Sequence, residues 1–347
     1  MTEWIQTLHT AWMVALFVTG AGVIALAGTR LAERADALAD RTGMGEAVTG
    51  ALMLGAATSL PGLVTSVTAA ASGLPVMAVD NALGGIAAQT AFLGVADIFH
   101  RKANLEHTAA SLANLMQAAV LIALLSMVPI AAHVPEATVA GIHLVSPLLI
   151  VSYIYGLRLS ARARAHPMWV ARQTDATQTD DCDDEEPEAA RLSTPRLWTT
   201  FVGLAVICGV AGWVVASAGI AAIERFGLSE GLVGGVFTAI SSSLPELVTS
   251  IAAVRAGAYT LAVGGIIGGN AFDTLFVAVA DVAYREGSIY TAVGSSSTVL
   301  IAVSILMTAV LSVGLIRRER HGVANIGFES MAILVLYAGM LVHLATG

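Results

Sequence analysis

Apolar residues run along this 347-residue chain in stretches of about 20 or more, separated by short polar connections. A helix rises about 1.5 Å per residue and the hydrocarbon core of a bilayer is about 30 Å thick, so each stretch is long enough to cross it. The pattern predicts ten transmembrane helices, near residues 10–28, 44–70, 75–97, 108–132, 139–158, 197–222, 231–255, 259–282, 289–316 and 324–345. The first has no basic leader, ends in no small-residue cleavage site and has a counterpart in the second half, so it reads as structural rather than as a signal peptide.

The polar interruptions inside the spans recur at an offset of 184 residues, without a gap, from Glu46 over Glu230 to Asp97 over Asp281. Seven of the eight positions from Ser59 to Ser66 are identical to Ser243 to Ser250; the exception sets Gly62 opposite Glu246. Five spans per half is an odd number, so the second half starts on the opposite side of the membrane. The expected fold is therefore an all-α polytopic membrane protein of about ten transmembrane helices, arranged as two inverted repeats of five with the functional site near the midplane. The repeats are residues 1–158 and 196–347, and a cytoplasmic acidic linker, 159–195, joins them.

Lysine and arginine collect on the cytoplasmic side, which orients the spans. Fifteen of the seventeen basic residues, from Arg30, Arg34 and Arg41 through Arg101 and Lys102 to Arg317, Arg318 and Arg320, fall in connections on one side; only Arg225 and Arg285 fall on the other. Both termini are expected outside the cytoplasm and the central loop inside it, in a cell membrane.

Composition agrees with the pattern. Hydrophobic residues make up 56% and charged residues 12%, with a mean hydropathy of +0.78, whereas a soluble domain carries roughly twice that charged share. The expected partners are the lipid bilayer and inorganic cations, with no nucleic acid and no specified oligomeric state. Gly-rich nucleotide-binding motifs are missing, so ATP is not indicated as an energy source. The acidic run Asp180 to Glu188 lacks the central Gly and ligand spacing of an EF-hand loop and reads as a disordered, solvated linker, with regulatory calcium binding as the alternative. Cys182 in that loop and Cys208 within a span face different environments and imply no disulfide. Residues 30–42 mix both charge signs at helical spacing, as an interfacial amphipathic segment or a solvated connection would.

The candidate chemistry lies in the spans. Glu246 and Asp273 sit at membrane depth, where a charge costs about 2.5 to 3.5 kcal/mol and is normally kept for an ion, a proton or a partner. Pro245 and Pro61 offer no N–H to the carbonyls of Ser241 and Ala57, which kinks each helix and frees backbone oxygens. Ser242 or Ser243 shares a face with Glu246, as Asn270 does with Asp273. Hydroxyls, amides, carbonyls and carboxylates are the ligands Na⁺ and Ca²⁺ prefer. Glycines at 264, 265, 268 and 269, echoed at 84 and 85, allow the neighbouring spans to approach closely. Back-bonding hydroxyls and packing glycines would explain those residues without a ligand, but not the carboxylates. Asp80, Asp97 and Asp281 lie near span ends and are expected to reach water; Asp80, on the opposite helix face from Gln89, is kept out of the central site, with an outer vestibule as its alternative.

These paired stretches resemble the alpha repeats of the calcium/cation antiporter superfamily, which includes Na⁺/Ca²⁺ exchangers and H⁺-coupled relatives. Each repeat there carries a small or hydroxyl pair, one residue, then Pro-Glu, and on the next helix a Gly-Ser-Asn-x-x-Asn/Asp-like pattern. The second half matches at Ser242, Ser243, Pro245, Glu246, Gly268, Asn270 and Asp273, with Gly269 for the usual Ser. The first half keeps Thr58, Ser59 and Pro61, but has Gly62 for the glutamate, Gly85 for the hydroxyl, Ile86 for the first asparagine and Gln89 for the last polar position.

The resemblance implies a secondary antiporter of sodium/calcium exchanger type. Cations would be held at the midplane by Thr58, Ser59, Gln89, Ser242, Ser243, Glu246, Asn270 and Asp273, with Glu246 and Asp273 as the metal-binding carboxylates. Movement of spans 1 and 6 would open the site to one side at a time. No tightly bound cofactor and no covalent chemistry are implied; Ca²⁺, Na⁺ or H⁺ is cargo. With one glutamate missing, the two remaining carboxylates suit monovalent ions or protons at least as well as Ca²⁺. Na⁺/H⁺ or other monovalent exchange is therefore one alternative, and a transport-incompetent, ion-sensing homologue another.

Overall fold

The computed structural model describes residues 5, 7–41, 55–99, 103–135, 137–172, 174, 177, 192–320 and 327–346, and these are almost entirely helical. The first half comprises α1 (Thr10–Arg41), α2 (Leu60–Ala71), α3 (Pro75–Phe99), α4 (Leu105–Thr108), α5 (Leu112–His133) and α6 (Val145–Ala165), with a short antiparallel hairpin of β1 (Thr138–Val139) and β2 (Ile142–His143) before α6. The second comprises α7 (Thr194–Phe226), α8 (Glu230–Ser242), α9 (Leu244–Arg255), α10 (Tyr259–Asp273), α11 (Leu275–Ala283), a 3-10 turn at Ile289–Ala292, α12 (Ser295–Arg317) and α13 (Phe328–Thr346).

Among the described residues, seven helical stretches are long and apolar enough to cross a membrane: α1, α3, α5, α7, α10 with α11, α12 and α13; the bent pair α8–α9 makes an eighth if it is one span. The expected second span lies partly outside the described residues, as do Arg101, Lys102 and the whole acidic run with Cys182. The expected fifth span, 139–158, falls on the hairpin and on α6, which is 21 residues long, carries Arg158, Arg162 and Arg164 in its last turns and is not one of those seven.

The internal repeat recurs in the element bounds. α2 and α9, α3 and the α10–α11 pair, and α4 and the 3-10 turn are each displaced by 184 residues at both ends. The third and eighth expected spans form the centre: 89% of the apolar window of α3 is buried and 83% of that of α10–α11, against 28% for α1 and α13. Leu83, Ile86 and Ala87 of α3 share one core with Ile266, Ile267 and Phe272 of α10 and Phe276 and Val277 of α11.

Two local irregularities set the central geometry. Ser243 breaks the helix, and α9 leaves α8 at 45° because Pro245 cannot complete the ladder. One turn earlier, Val233–Thr238 is wound as a π-helix, a feature the hydropathy pattern does not announce. This segment lies on α3 at glycine contacts: a Cβ on Gly84 would come within 2.6 Å of the Gly235 Cα.

Two sequence expectations are refined by the structure. Residues 30–41 are not a separate segment or a loose connection but the continuation of the 32-residue helix α1. Their apolar stripe, Leu31, Ala35 and Leu38, is covered by Leu197, Phe201 and Leu204 at the start of α7. The aspartates near the span ends do not reach water: Asp80, Asp97 and Asp281 are all 0% exposed. Asp97 accepts from the backbone N–H of Leu105 (2.7 Å) and Gly327 (3.0 Å), and Asp281 from those of His143 (2.8 Å) and Ile289 (3.1 Å) and from the Ser146 hydroxyl (2.7 Å). Each ties the end of its span both to the segment that follows it, at Leu105 or Ile289, and to a connection in the other half, at Gly327 or His143. Asp80 lies under Gly231 and α12, with Ser296 Oγ at 3.5 Å from its Oδ2 and no partner on Oδ1 among the described residues.

Candidate functional site

The breaks before Pro61 and Pro245 bring α2, α3, α8, α9, α10 and α11 together around a small cavity. It is lined by Ser59, Gly62, Asn81, Gly85, Gln89, Ser242, Ser243, Glu246, Asp273 and Phe276. About 10 Å³ is open to the centre of a water-sized sphere, room for one water or one bare cation. Among the described residues, two carboxylates line it and no basic side chain does.

Asp273 is held by neutral donors from the first half. The Ser59 hydroxyl donates to its Oδ1 at 2.5 Å, and Gln89 Nε2 donates to its Oδ2 at 2.7 Å and to Ser243 Oγ at 3.2 Å. Gln89 and Asp273 are counterparts in the repeat, so the offset noted in the sequence becomes a direct contact across the centre. Glu246 is only 5% exposed, and its Oε2 has no partner among the described residues. Gln89 Oε1 and Asn270 Oδ1 are likewise buried without partners among the described residues. Leaving a buried acceptor unsatisfied costs about 1–3 kcal/mol. Two of these oxygens, Glu246 Oε2 and Gln89 Oε1, belong to residues that line the cavity with Asp273, and unsatisfied oxygens beside two carboxylates suit a cation, which supplies charge and ligand contacts together, and are wrong for an anion.

Six of the eight residues expected in the site line the cavity: Ser59, Gln89, Ser242, Ser243, Glu246 and Asp273. The other two flank it. Asn270 donates to Thr90 Oγ1 at 2.9 Å, and the Thr58 hydroxyl donates to the Gly55 carbonyl at 3.2 Å while also standing within reach of the Glu246 carboxylate. Ala57 and Ser241, whose carbonyls the prolines free, do not line the cavity. Most hydroxyls here do bond back within their own helices, as Thr65 does to Pro61, Ser241 to Phe237 and Thr249 to Pro245. Ser59 turns its hydroxyl away from its own helix onto Asp273.

Two lining residues lie beyond the sequence expectation. Asn81 donates to the Gly62 carbonyl (3.0 Å) and Ser66 Oγ (2.9 Å) and accepts from Thr238 Oγ1 (2.8 Å), which locks α2, α3 and α8 around the cavity. Its spacing of four and eight from Gly85 and Gln89 places it on their helix face, a signal masked by its neighbour Asp80. Phe276 follows Asp273 by three positions across the break at Thr274, and nothing in its residue type marks it as part of a polar site.

Comparison with known proteins adds to this geometry. The profile of the sodium/calcium exchanger protein family matches residues 12–156 and 196–346. The inner membrane protein YrbG of Escherichia coli (strain K12) is 37% identical over 113 residues, 31% of this chain and 34% of its own. The chain thus spans about a third of the length of the curated relatives it matches. Among solved structures, the sodium-calcium exchanger NCX_Mj superposes with a TM-score of 0.59 at 17% identity, covering 96% of this chain and 99% of its own. The H⁺/Ca²⁺ exchanger CAX does so with a TM-score of 0.61 at 12% identity, covering 98% and 89%. At such identities the likeness is one of fold. The profile, in contrast, takes in most of both halves, including every residue around the cavity, and the chain belongs to the sodium/calcium exchanger protein family.

Proposed function

We propose that this protein is a secondary cation antiporter of sodium/calcium exchanger type, working by alternating access. The observation that carries this reading is the Glu246 carboxylate, buried beside Asp273 with, among the described residues, no partner for Oε2 and no basic side chain lining the cavity. A charge kept at such depth is normally functional, and a cation answers both its charge and its missing contacts. Family membership and the exchangers of similar fold support the same reading. The cargo is an inorganic cation, Ca²⁺, Na⁺ or H⁺, with no resident cofactor and no covalent step.

In this reading residues 1–158 and 196–347 are inverted repeats of five spans each, the cavity lies at the midplane between them, and the linker 159–195 and the basic connections face the cytoplasm. Ser59 and Gln89 hold Asp273 between cations, and their hydrogen bonds give way to cation coordination. Ion flux in inside-out vesicles under Na⁺, Ca²⁺ and pH gradients tests this. Exchange is expected in the parent, abolished in Glu246→Gln, and weakened or shifted in pH dependence in Asp273→Asn. Parent-like rates and ion affinities in Glu246→Gln would place the site elsewhere.

A second reading, Na⁺/H⁺ or other monovalent exchange, is favoured by one feature: Gly62 and Gln89 leave only two carboxylates, and one of them already accepts two hydrogen bonds. Coulomb attraction scales with ion charge, so each missing carboxylate weakens a divalent ion more than a monovalent one. Proton-coupled Na⁺ flux without Ca²⁺ flux in the same vesicles would select it. Cation binding with no flux at all would instead mark an ion-sensing homologue.

A further inference from the structure

The Gly62 position is not simply a site where a carboxylate has been lost. A Cβ built there would lie 2.8 Å from Cε2 and 3.4 Å from Cζ of Phe276, and 3.4 Å from Ser242 Oγ. Real Cβ contacts essentially never come under about 3.0 Å, so the ring edge occupies the volume that any side chain at residue 62 needs. The ring is not free to withdraw. Phe276 is 3% exposed and meets Phe272 edge-on, with centroids 6.3 Å apart at 82°; Phe272 in turn meets Tyr153 of α6 edge-on at 5.9 Å. This aromatic row backs the ring against the cavity that Glu246 and Asp273 line from other sides.

We infer that Phe276 is a specificity-determining residue, whose ring limits the cavity to two carboxylates and to one small, largely dehydrated cation. The ring edge that faces residue 62 carries the positive part of the aromatic quadrupole and offers a cation no ligand, so this wall can neither neutralise nor hydrate what is bound. An ion entering the cavity must shed water on that side without gaining an oxygen. That penalty is heavier for a divalent cation, which is hydrated more strongly. Gly62 and Phe276 form a complementary pair: the glycine makes room for the ring, and the ring bars a second glutamate.

This inference rests on the cation-exchange reading of the cavity, and its test separates the two. Gly62→Glu, Phe276→Ala and the double variant are purified as full chains, and melting temperatures are followed in NaCl and CaCl₂ titrations. Gly62→Glu alone is expected to lower the melting temperature with no gain in Ca²⁺ affinity, whereas the double variant should bind Ca²⁺ at least about tenfold more tightly than the parent. A Ca²⁺ gain in Gly62→Glu alone equal to that of the double variant, or none in a well-folded double variant, would overturn the proposal. Should the glutamate variants fail to fold, Gly62→Ala in the parent and Phe276→Leu backgrounds replaces them. The alanine is expected to destabilise the parent and to be relieved beside leucine; additive effects would overturn the ring-exclusion argument. If Glu246→Gln leaves cation binding and flux unchanged while that coupling persists, the exchange reading fails and the packing relation between Gly62 and Phe276 stands.

Discussion

Glu106 shows how the surroundings of a single carboxyl turn into a measurable property. It lies on α4, outside the long apolar helices, with its Oε1 accepting from Ser330 at 2.8 Å and its Oε2 buried without a partner among the described residues. A Cβ at Gly314 of α12 would come 3.0 Å from the Glu106 Cγ and 2.6 Å from the Glu329 Cγ, so two acidic side chains pack over one glycine. Burial, then the negative charge of Asp97, pushes Glu106 up from its ordinary 4.5 to about 7. Below the ordinary carboxyl range both the folded and the unfolded chain hold this proton. Between that range and about 7 the unfolded chain releases it while the folded one keeps it, so this group makes stability fall as pH rises through the window and level off above it. Glu106→Gln should flatten this fall, seen as a weaker pH dependence of the melting temperature in detergent between about pH 5 and 8. An unchanged profile would show that Glu106 does not hold the proton.

At the scale of elements, the central helices meet through backbone rather than through side chains. The π-helical turn of α8 presents Gly234 and Gly235 to α3, where Met77 and Gly84 receive them. Since the atoms facing Gly84 belong to backbone, no rotamer change can make space. Gly84→Val should therefore cost about 3 kcal/mol or more, beyond ordinary overpacking, and appear as a large loss of monodisperse protein on heating. Gly22, with nothing within 4 Å of its added Cβ, is the control: Gly22→Ala should melt like the parent. Equal behaviour of the two variants would mean that α3 and α8 are not in the contact described.

For the whole molecule, the fifteen-to-two distribution of basic residues makes topology the decisive property. A reporter fused after residue 347 should report from outside the cytoplasm and one inserted near Gln178 from inside it. Finding both on one side would remove the inverted arrangement. If the proposed linker reading holds, deleting Thr179 to Ala189 should leave flux intact in vesicles. Loss of flux from a folded, membrane-inserted deletion would give that segment a direct role, whereas a shift in the activating Ca²⁺ concentration would give it a regulatory one.

Much of this architecture is legible along the chain because it rests on one-dimensional quantities. Length and hydropathy place the long helices, and the 184-residue register that pairs Ser59–Ser66 with Ser243–Ser250 reappears at both ends of α2 and α9. The same register singles out Gly62 opposite Glu246, and six of the expected site residues do line one cavity. What the chain alone leaves undecided depends on which groups meet across the fold. Asp97 and Asp281 look, by their place near span ends, as if they face water; whether they do is decided by connections that fold back and offer N–H groups from Gly327 and His143. The stripe of α1 past Arg30 is amphipathic in either setting, and only the presence of α7 buries it. Asp273 is an acidic residue in an apolar run until Ser59 and Gln89, 214 and 184 positions away, supply its donors. Phe276 is an ordinary apolar residue until its ring edge is found over Gly62. Hydrogen bonds and steric exclusion act over a few ångströms between residues far apart in sequence, so the tertiary structure alone decides them.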